Sequence, residues 1–295
     1  MIKLPKINSI FRVKDGSELQ LVIRSLRKSR ISILGLVIVA ILILMGLFGP
    51  LLVSNTPYEM DIDDRLATPS LEAPFGKDEF GRDIFTRVLY GLRISLTVGI
   101  VVVSISGTIG VFLGLVAGYY GGLSDSLIMR LTDIILAFPG LVLALAVAAA
   151  IGPNIINVML ILSFTWWTSY ARIVRGEVLS IREKDYVTAA KVMGVKDWTV
   201  TFRHVLPNVI GPIVVFATLQ MSYAILAEAS LSFLGVGLRP PEPSLGVIIN
   251  GGKEFLRVAP HVSALSGFVI MLLVLGFNLL GDGLRDSLDP KMRRI

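Results

Sequence analysis

Two histidines, His204 and His261, and no cysteine leave this chain almost nothing from which to build a catalytic or metal-ligating site. The histidines fall next to different predicted membrane spans, on opposite sides of the membrane, so they share no site and each reads as structural. Absence of cysteine excludes disulfides, thiolate nucleophiles and cysteine metal centres. No Gly-x-x-x-x-Gly-Lys-Ser/Thr stretch is present to cradle phosphates, so the sequence predicts no catalytic residue, no metal and no cofactor, ATP included. The chemistry that residue spacing does support is docking. In Arg182-Glu-Lys-Asp-Tyr-Val-Thr-Ala-Ala-Lys-Val-Met-Gly194, residues Tyr186, Ala189, Ala190 and Met193 recur at i, i+3, i+4 and i+7 and share one apolar helical face, with Lys184, Thr188 and Lys191 opposite. Two alanines on that face allow another protein's backbone to approach closely. Gly194 stands where a left-handed helix terminus needs a residue without Cβ. Asp197 reads as the N-cap of a second short helix through Arg203, with Pro207 as its stop. The competing reading is an amphipathic hairpin lying on lipid headgroups.

The elements that must position this hairpin are membrane spans. The chain is 54% hydrophobic and 17% charged, with a mean hydropathy of +0.75, more apolar sequence than a soluble core absorbs. The stretch 31–53 carries no charge and is long enough to cross a hydrocarbon layer about 30 Å thick. Further spans are predicted at 94–119, 128–151, 155–171, 209–234 and 262–280, giving an all-α, six-span membrane protein. Basic residues such as Lys3, Arg12, Arg24, Arg27 and Arg30 crowd ahead of the first span and place the N-terminus in the cytoplasm. Alternation then puts the C-terminus and the hairpin inside, and an acidic segment, with Glu59, Asp61, Asp63 and Asp64, outside. The organisation read from this is a basic cytoplasmic segment 1–30, an anchor helix 31–53, an extracytoplasmic segment 54–93, a five-helix core 94–281 holding the loop 176–208, and a cytoplasmic tail 282–295. The net charge of +6 is explained by orientation, with no nucleic-acid partner.

Ser106, Gly110, Gly114 and Gly118 form a small-residue ridge at four-residue intervals, fit for close helix packing in lipid. Trp166, Trp167 and Tyr170 read as an interfacial belt, and Asp133 with Arg130 as a helix-end ion pair. Glu228 is the one acid well inside a predicted span, near the outer end of the fifth. It either faces a translocation path or packs against a neighbouring loop.

The hairpin resembles the coupling loop of ABC importer permeases, whose consensus is Glu-Ala-Ala, three residues, Gly, and farther on Leu-Pro. Ala189, Ala190, Gly194, Leu206 and Pro207 match, with Thr188 in place of the acid, and Tyr186, His204 and Asn208 narrow the likeness to the dipeptide, oligopeptide and nickel importers. Gly76, Asp78, Gly81, Arg82 and Asp83 resemble the signature ahead of the second span of the C-type subunit, and Asp282, Arg285 and Asp286 its C-terminal end. Pro243-Ser-Leu-Gly246 is similar to a family Pro-Ser-Trp-Gly, with Leu245 replacing the aromatic. The resemblance implies a plasma-membrane permease forming half of a path for di- or oligopeptides. It also implies a homologous second permease, two ATPase subunits that bind ATP and magnesium, and an extracytoplasmic substrate-binding protein. Tyr186, Ala189, Ala190, Met193, Gly194, His204 and Pro207 would then form the ATPase-coupling surface. Nickel or a nickel chelate is the alternative cargo. An ion-gradient-driven secondary transporter is the alternative of a different class, against which stand little intramembrane charge and no clear repeat.

Overall fold

A computed structural model describes residues 29–288. The basic segment 1–28 and the tail 289–295, Pro290 included, lie outside the described residues. Within them the chain is helical, its one β feature an isolated bridge between Lys77 and Asp83. The helices are α1 (Arg30–Leu52), α2 (Ile84–Tyr120), α3 (Gly122–Leu136), α4 (Gly140–Ile151), α5 (Ile155–Arg182), α6 (Asp185–Val192), α7 (Asp197–Val200), α8 (Leu206–Phe233), α9 (Leu245–Gly252) and α10 (His261–Leu288). A π turn, Thr201–Val205, joins α7 to α8.

Four helices are long and apolar enough to cross a membrane: α1, α2, the continuous stretch Asp197–Phe233, and α10. The expected third span, 128–151, is instead the pair α3 and α4, bent by 81°. The cause is Pro139, which removes a backbone donor and pushes Phe138 out of helical geometry; it ends up as the residue preceding α4. Counted as one, that pair is a fifth span. α5 is 28 residues long but more polar, with Ser163, Thr165 and Thr168 buried along it.

Three boundaries differ from those read in the sequence, two of them because a polar residue is held by the fold. α2 begins at Ile84, inside the expected segment 54–93, since the Asp83 carboxylate caps it by accepting from Thr86 N at 2.8 Å. α5 runs on to Arg182, into the expected loop 176–208, because Arg175 pairs with Asp125 and Arg182 donates to the Gly118 carbonyl at 2.9 Å. α10 continues to Leu288, so Asp282, Arg285 and Asp286 are helical, and all three are exposed. Asp133 pairs across helices with Arg172, not within α3 with Arg130.

α2 is the spine of the bundle. Its small-residue ridge packs on α5 as closely as the sequence predicts: a Cβ placed on Gly114 would lie 2.7 Å from the Ala171 carbonyl oxygen and 2.8 Å from Val174 Cβ. The same contact buries Tyr170, whose ring lies 3.6 Å from a Cβ placed on Gly107; Trp167 is buried as well, so the two do not form an interfacial belt. α10 packs between α1 and α8. One side of α1 is buried at Gly35, Val39, Leu42 and Gly46, while Leu34, Val37, Ile41 and Leu44 remain exposed, as a helix facing lipid requires.

Candidate functional site

The two helices of the hairpin, α6 and α7, sit at one end of α2. α6 begins with Asp185 in its first turn and ends in a Schellman motif. Gly194 has φ +76°, Val195 N donates to Ala190 O at 3.1 Å and Gly194 N to Lys191 O at 2.9 Å. The left-handed glycine expected from sequence is thus in place. Tyr186, Ala189, Met193 and Gly194 are exposed on one side, joined by Val192, which is 84% exposed. Ala190 departs from the expectation. It is half-buried and packs with Val195 against the interior cluster of Leu115, Tyr119, Val187, Val200 and Val205. One helical step of 100° separates it from Ala189, and that step carries it over the edge of the exposed face.

Asp197 is not an N-cap. It is the first residue of α7, and its carboxylate accepts from the Tyr119 hydroxyl at 2.7 Å. Lys191, from α6, lies over the same ring, its ammonium 4.4 Å from the centroid. Pro207 does not stop the second helix either. It occupies the first turn of α8, where a missing donor costs little, and the π turn before it keeps the helix continuous. His204 is half-buried on that turn, and its carbonyl accepts from Asn208 Nδ2 at 2.7 Å. Thr188, in the place of the consensus acid, is exposed.

At the opposite end of α2 the loop 54–83 folds into a knot around Asp78, which is 2% exposed. Its Oδ1 accepts from Phe80 N at 2.9 Å and Arg82 N at 3.0 Å, and its Oδ2 from Arg82 Nε at 2.7 Å. Arg87, 1% exposed, stands 3.5 Å from the same carboxylate and donates to the Pro57 carbonyl at 2.9 Å and the Pro241 carbonyl at 3.4 Å. A buried guanidinium is tolerable because carbonyls from two loops and a carboxylate surround it. Gly76 and Gly81 both have positive φ, +75° and +73°, and make the sharp turns that wrap the loop. On the rim Lys77 donates to Asp64 at 2.7 Å and Asp61 at 2.9 Å, and these two bonds push its ammonium up to about 12. Burial raises the Glu79 carboxyl and the Tyr58 hydroxyl from their ordinary values.

Glu228 lies just beneath this end and is 0% exposed. Ser232 and Ser244 hydroxyls donate to its Oε1 at 2.9 and 2.8 Å, and Ser95 to its Oε2 at 3.0 Å. Three serines from α2, α8 and the residue preceding α9 therefore enclose it, and it does not line a path open within this chain. Of the two readings of Glu228, packing against a neighbouring loop is the one the geometry favours. Leu245, one residue beyond Ser244, is fully buried, and a Cβ on Gly91 would lie 3.0 Å from its Cδ2. The two histidines are at opposite ends of the bundle, as expected, and Gly76 sits close to His261.

Tyr119 and the partner role of Asp197 escaped sequence reasoning, because nothing local distinguishes Tyr119 from Tyr120 beside it.

Residues 110–294 match the family model described as binding-protein-dependent transport system inner membrane component. Residues 17–74 match the model of the N-terminal TM domain of oligopeptide transport permease C. A dipeptide transport system permease protein of Alkalihalophilus pseudofirmus is 46% identical over 270 residues, 92% of this chain and 89% of its own. A glutathione transport system permease protein of Pectobacterium atrosepticum is 45% identical over 241 residues, 80% of each chain. A putative peptide transport system permease protein of Brucella suis is 40% identical over 277 residues, 94% of this chain and 93% of its own.

Proposed function

Because the chain belongs to the family of binding-protein-dependent transport system inner membrane components, a multi-pass membrane family of transport permeases and not of enzymes, we propose that it forms half of the path of an ATP-driven importer of short peptides. The observation that carries the reading is the exposed apolar face of α6, Tyr186, Ala189 and Met193, ended by a left-handed Gly194. A narrow apolar surface projecting from the end of a membrane bundle fits a cleft on a soluble protein better than a headgroup layer, since Lys184 and Lys191 are not arranged to flank it.

In this reading α5 is the sixth span, both termini and the hairpin are cytoplasmic, and the knot around Asp78 faces outward. Two ATPase subunits, which bind ATP and magnesium, dock on this hairpin and its counterpart in a homologous second permease. Closure of the ATPases displaces the hairpins, and the attached spans tilt between outward and inward openings. An external binding protein delivers the cargo. The names of the relatives, dipeptide, glutathione and peptide permeases, support a peptide cargo. They lend no support to nickel or to an ion-gradient-driven transporter.

The test is purification of the full chain from its native membrane, identification of what accompanies it, and uptake of labelled di- and tripeptides by the reconstituted complex with and without ATP. Recovery of a second permease and ATPases with ATP-dependent peptide uptake is expected. Uptake by the chain alone under an ion gradient refutes the reading.

A further inference from the structure

α5 and α8 are covalently continuous with the hairpin and must move when it moves. α2 is not: it ends at Tyr120, far in sequence from the hairpin, and follows only if side chains hold it. Arg182, at the end of α5, donates to the Gly118 carbonyl of α2, and one residue of α2 supplies the polar hold on the hairpin helices themselves. Tyr119 is 5% exposed, its hydroxyl donates to Asp197 of α7 at 2.7 Å, and its ring carries the Lys191 ammonium of α6 at 4.4 Å. Both helices of the hairpin thus grip the same side chain from different directions, one by the edge and one by the face. Around the ring Leu115, Val187, Val200 and Val205 close an apolar core that fixes its position, while Asp197 and Lys191 reach it from the exposed side of the hairpin.

What α2 does with a displacement follows from its length. It is 37 residues without an interior proline, a rod of roughly 55 Å. At its far end Arg87 ties it to Pro57 and Pro241, in the two loops of the opposite end, and Ser95 ties it to Glu228. The path through α8 begins with the π turn Thr201–Val205, a break in the regular helical ladder, whereas α2 is one unbroken α-helix.

We propose that Tyr119 is the positioning residue that makes α2 follow the docking hairpin, so that hairpin displacement reaches the opposite end of the bundle. This rests on the importer reading given above. Tyr119 acts by holding α2 to Asp197 and Lys191.

The experiment measures ATP hydrolysis and peptide uptake in the same proteoliposomes, using the complete complex. Tyr119→Phe keeps the ring and loses the hydroxyl, Tyr119→Leu loses both contacts, and Asp197→Asn removes the charge on the acceptor. Expected are complexes of unchanged subunit stoichiometry and hydrolysis near wild type, with peptide taken up per ATP lowered at least about threefold by Tyr119→Phe and further by Tyr119→Leu. Tyr119→Phe combined with Asp197→Asn should lose little beyond Tyr119→Phe alone, because both substitutions act on one contact, which the first removes and the second weakens. A merely structural role lowers hydrolysis and uptake together and leaves their ratio at the wild-type value. That result in Tyr119→Phe, which is the variant least prone to misfold, overturns the proposal while the importer reading stands. A wild-type complex with no ATP-dependent uptake overturns both.

Discussion

Removing the Glu228 carboxylate is a severe test of how the end opposite the hairpin is held. The side chain is fully buried and accepts from three hydroxyls, on Ser95, Ser232 and Ser244. In Glu228→Ala all three lose their acceptor. Ser95 and Ser232 are within helices and can turn to the carbonyl one turn earlier, so their loss is partial. Ser244 precedes α9 and has no such carbonyl, so it is left buried without a partner, at about 1–3 kcal/mol. Deleting the buried side-chain atoms adds a cavity cost of about 1–2 kcal/mol, which brings the total to roughly 3 kcal/mol. Glu228→Gln keeps the shape and one carbonyl oxygen for Ser232 and Ser244. Its amide meets Ser95, whose hydroxyl can rotate to accept, so about 1 kcal/mol is expected. At about 2–4 °C per kcal/mol for a chain approaching this size, Tm in detergent should fall by roughly 6–12 °C for Ala and a third of that for Gln. Limited proteolysis within 235–260 should accelerate in the same order, since Ser244 anchors that loop. Equal losses in Ala and Gln would show that the negative charge, and not the hydrogen-bond geometry, holds the site. No loss in Ala would show that the serines have other acceptors, and either result refutes the accounting.

Gly114→Leu should prevent α2 from seating on α5, since even a Cβ there lies 2.7 Å from the Ala171 carbonyl; overpacking of about 1–3 kcal/mol or more predicts lost thermal stability while Gly176→Leu, on an open position, does not. Ala189→Glu should abolish ATP-driven uptake with insertion intact by placing charge on the exposed face, and it is a cleaner probe than Ala190→Glu, which also charges the hairpin interior; wild-type uptake in Ala189→Glu removes the docking assignment. Gly194→Arg puts a Cβ on a residue at φ +76°, costing about 1 kcal/mol locally, and puts bulk beside that face, so uptake should fall far more than Tm. The Lys77 pair with Asp64 and Asp61 has a sign fixed by its shift: with the folded value raised to about 12 from 10.5, its contribution is full below pH 10.5 and lost as pH rises through 12. Tm of the complex should therefore show no step attributable to Lys77→Met between pH 6 and 9, and a difference that grows or shrinks across that window would refute the pairing.

Much of the site was legible because its signals are local. A Schellman terminus needs only a helical period and a glycine in the right register, and Gly194 declares both. The ridge of Gly110, Gly114 and Gly118 states its need for a close neighbour whatever that neighbour is. Span boundaries were less legible, and for one reason: hydropathy marks where a helix enters lipid, not where it ends. Asp83, Arg175 and Asp282 are all charged and all lie at or inside helices that outrun their apolar stretches. Pro139 and Pro207 show the same limit from the other side. Each is a proline in a helical stretch, yet one breaks a span by 81° and the other rides a π turn with the helix unbroken. The difference is tertiary, because α7 and the π turn are pinned to α2 by Asp197, whereas the break at 137–139 is exposed.

Burial explains why Glu228, marked in the sequence only as a lone acid within a span, and Tyr119, unremarked by any local pattern, organise the two ends. A lone carboxylate in an apolar span demands donors, and the sequence distributes them over Ser95, Ser232 and Ser244, which only the fold brings together. A tyrosine at a helix end demands a partner for one hydroxyl, and the partner lies 78 residues away. Both residues link α2 to elements it does not touch covalently, one at each end of a single rod. A permease that passes motion from a hairpin to the opposite face requires such a link at each end. Weakening either link while leaving the rod intact should therefore separate ATP hydrolysis from movement of cargo.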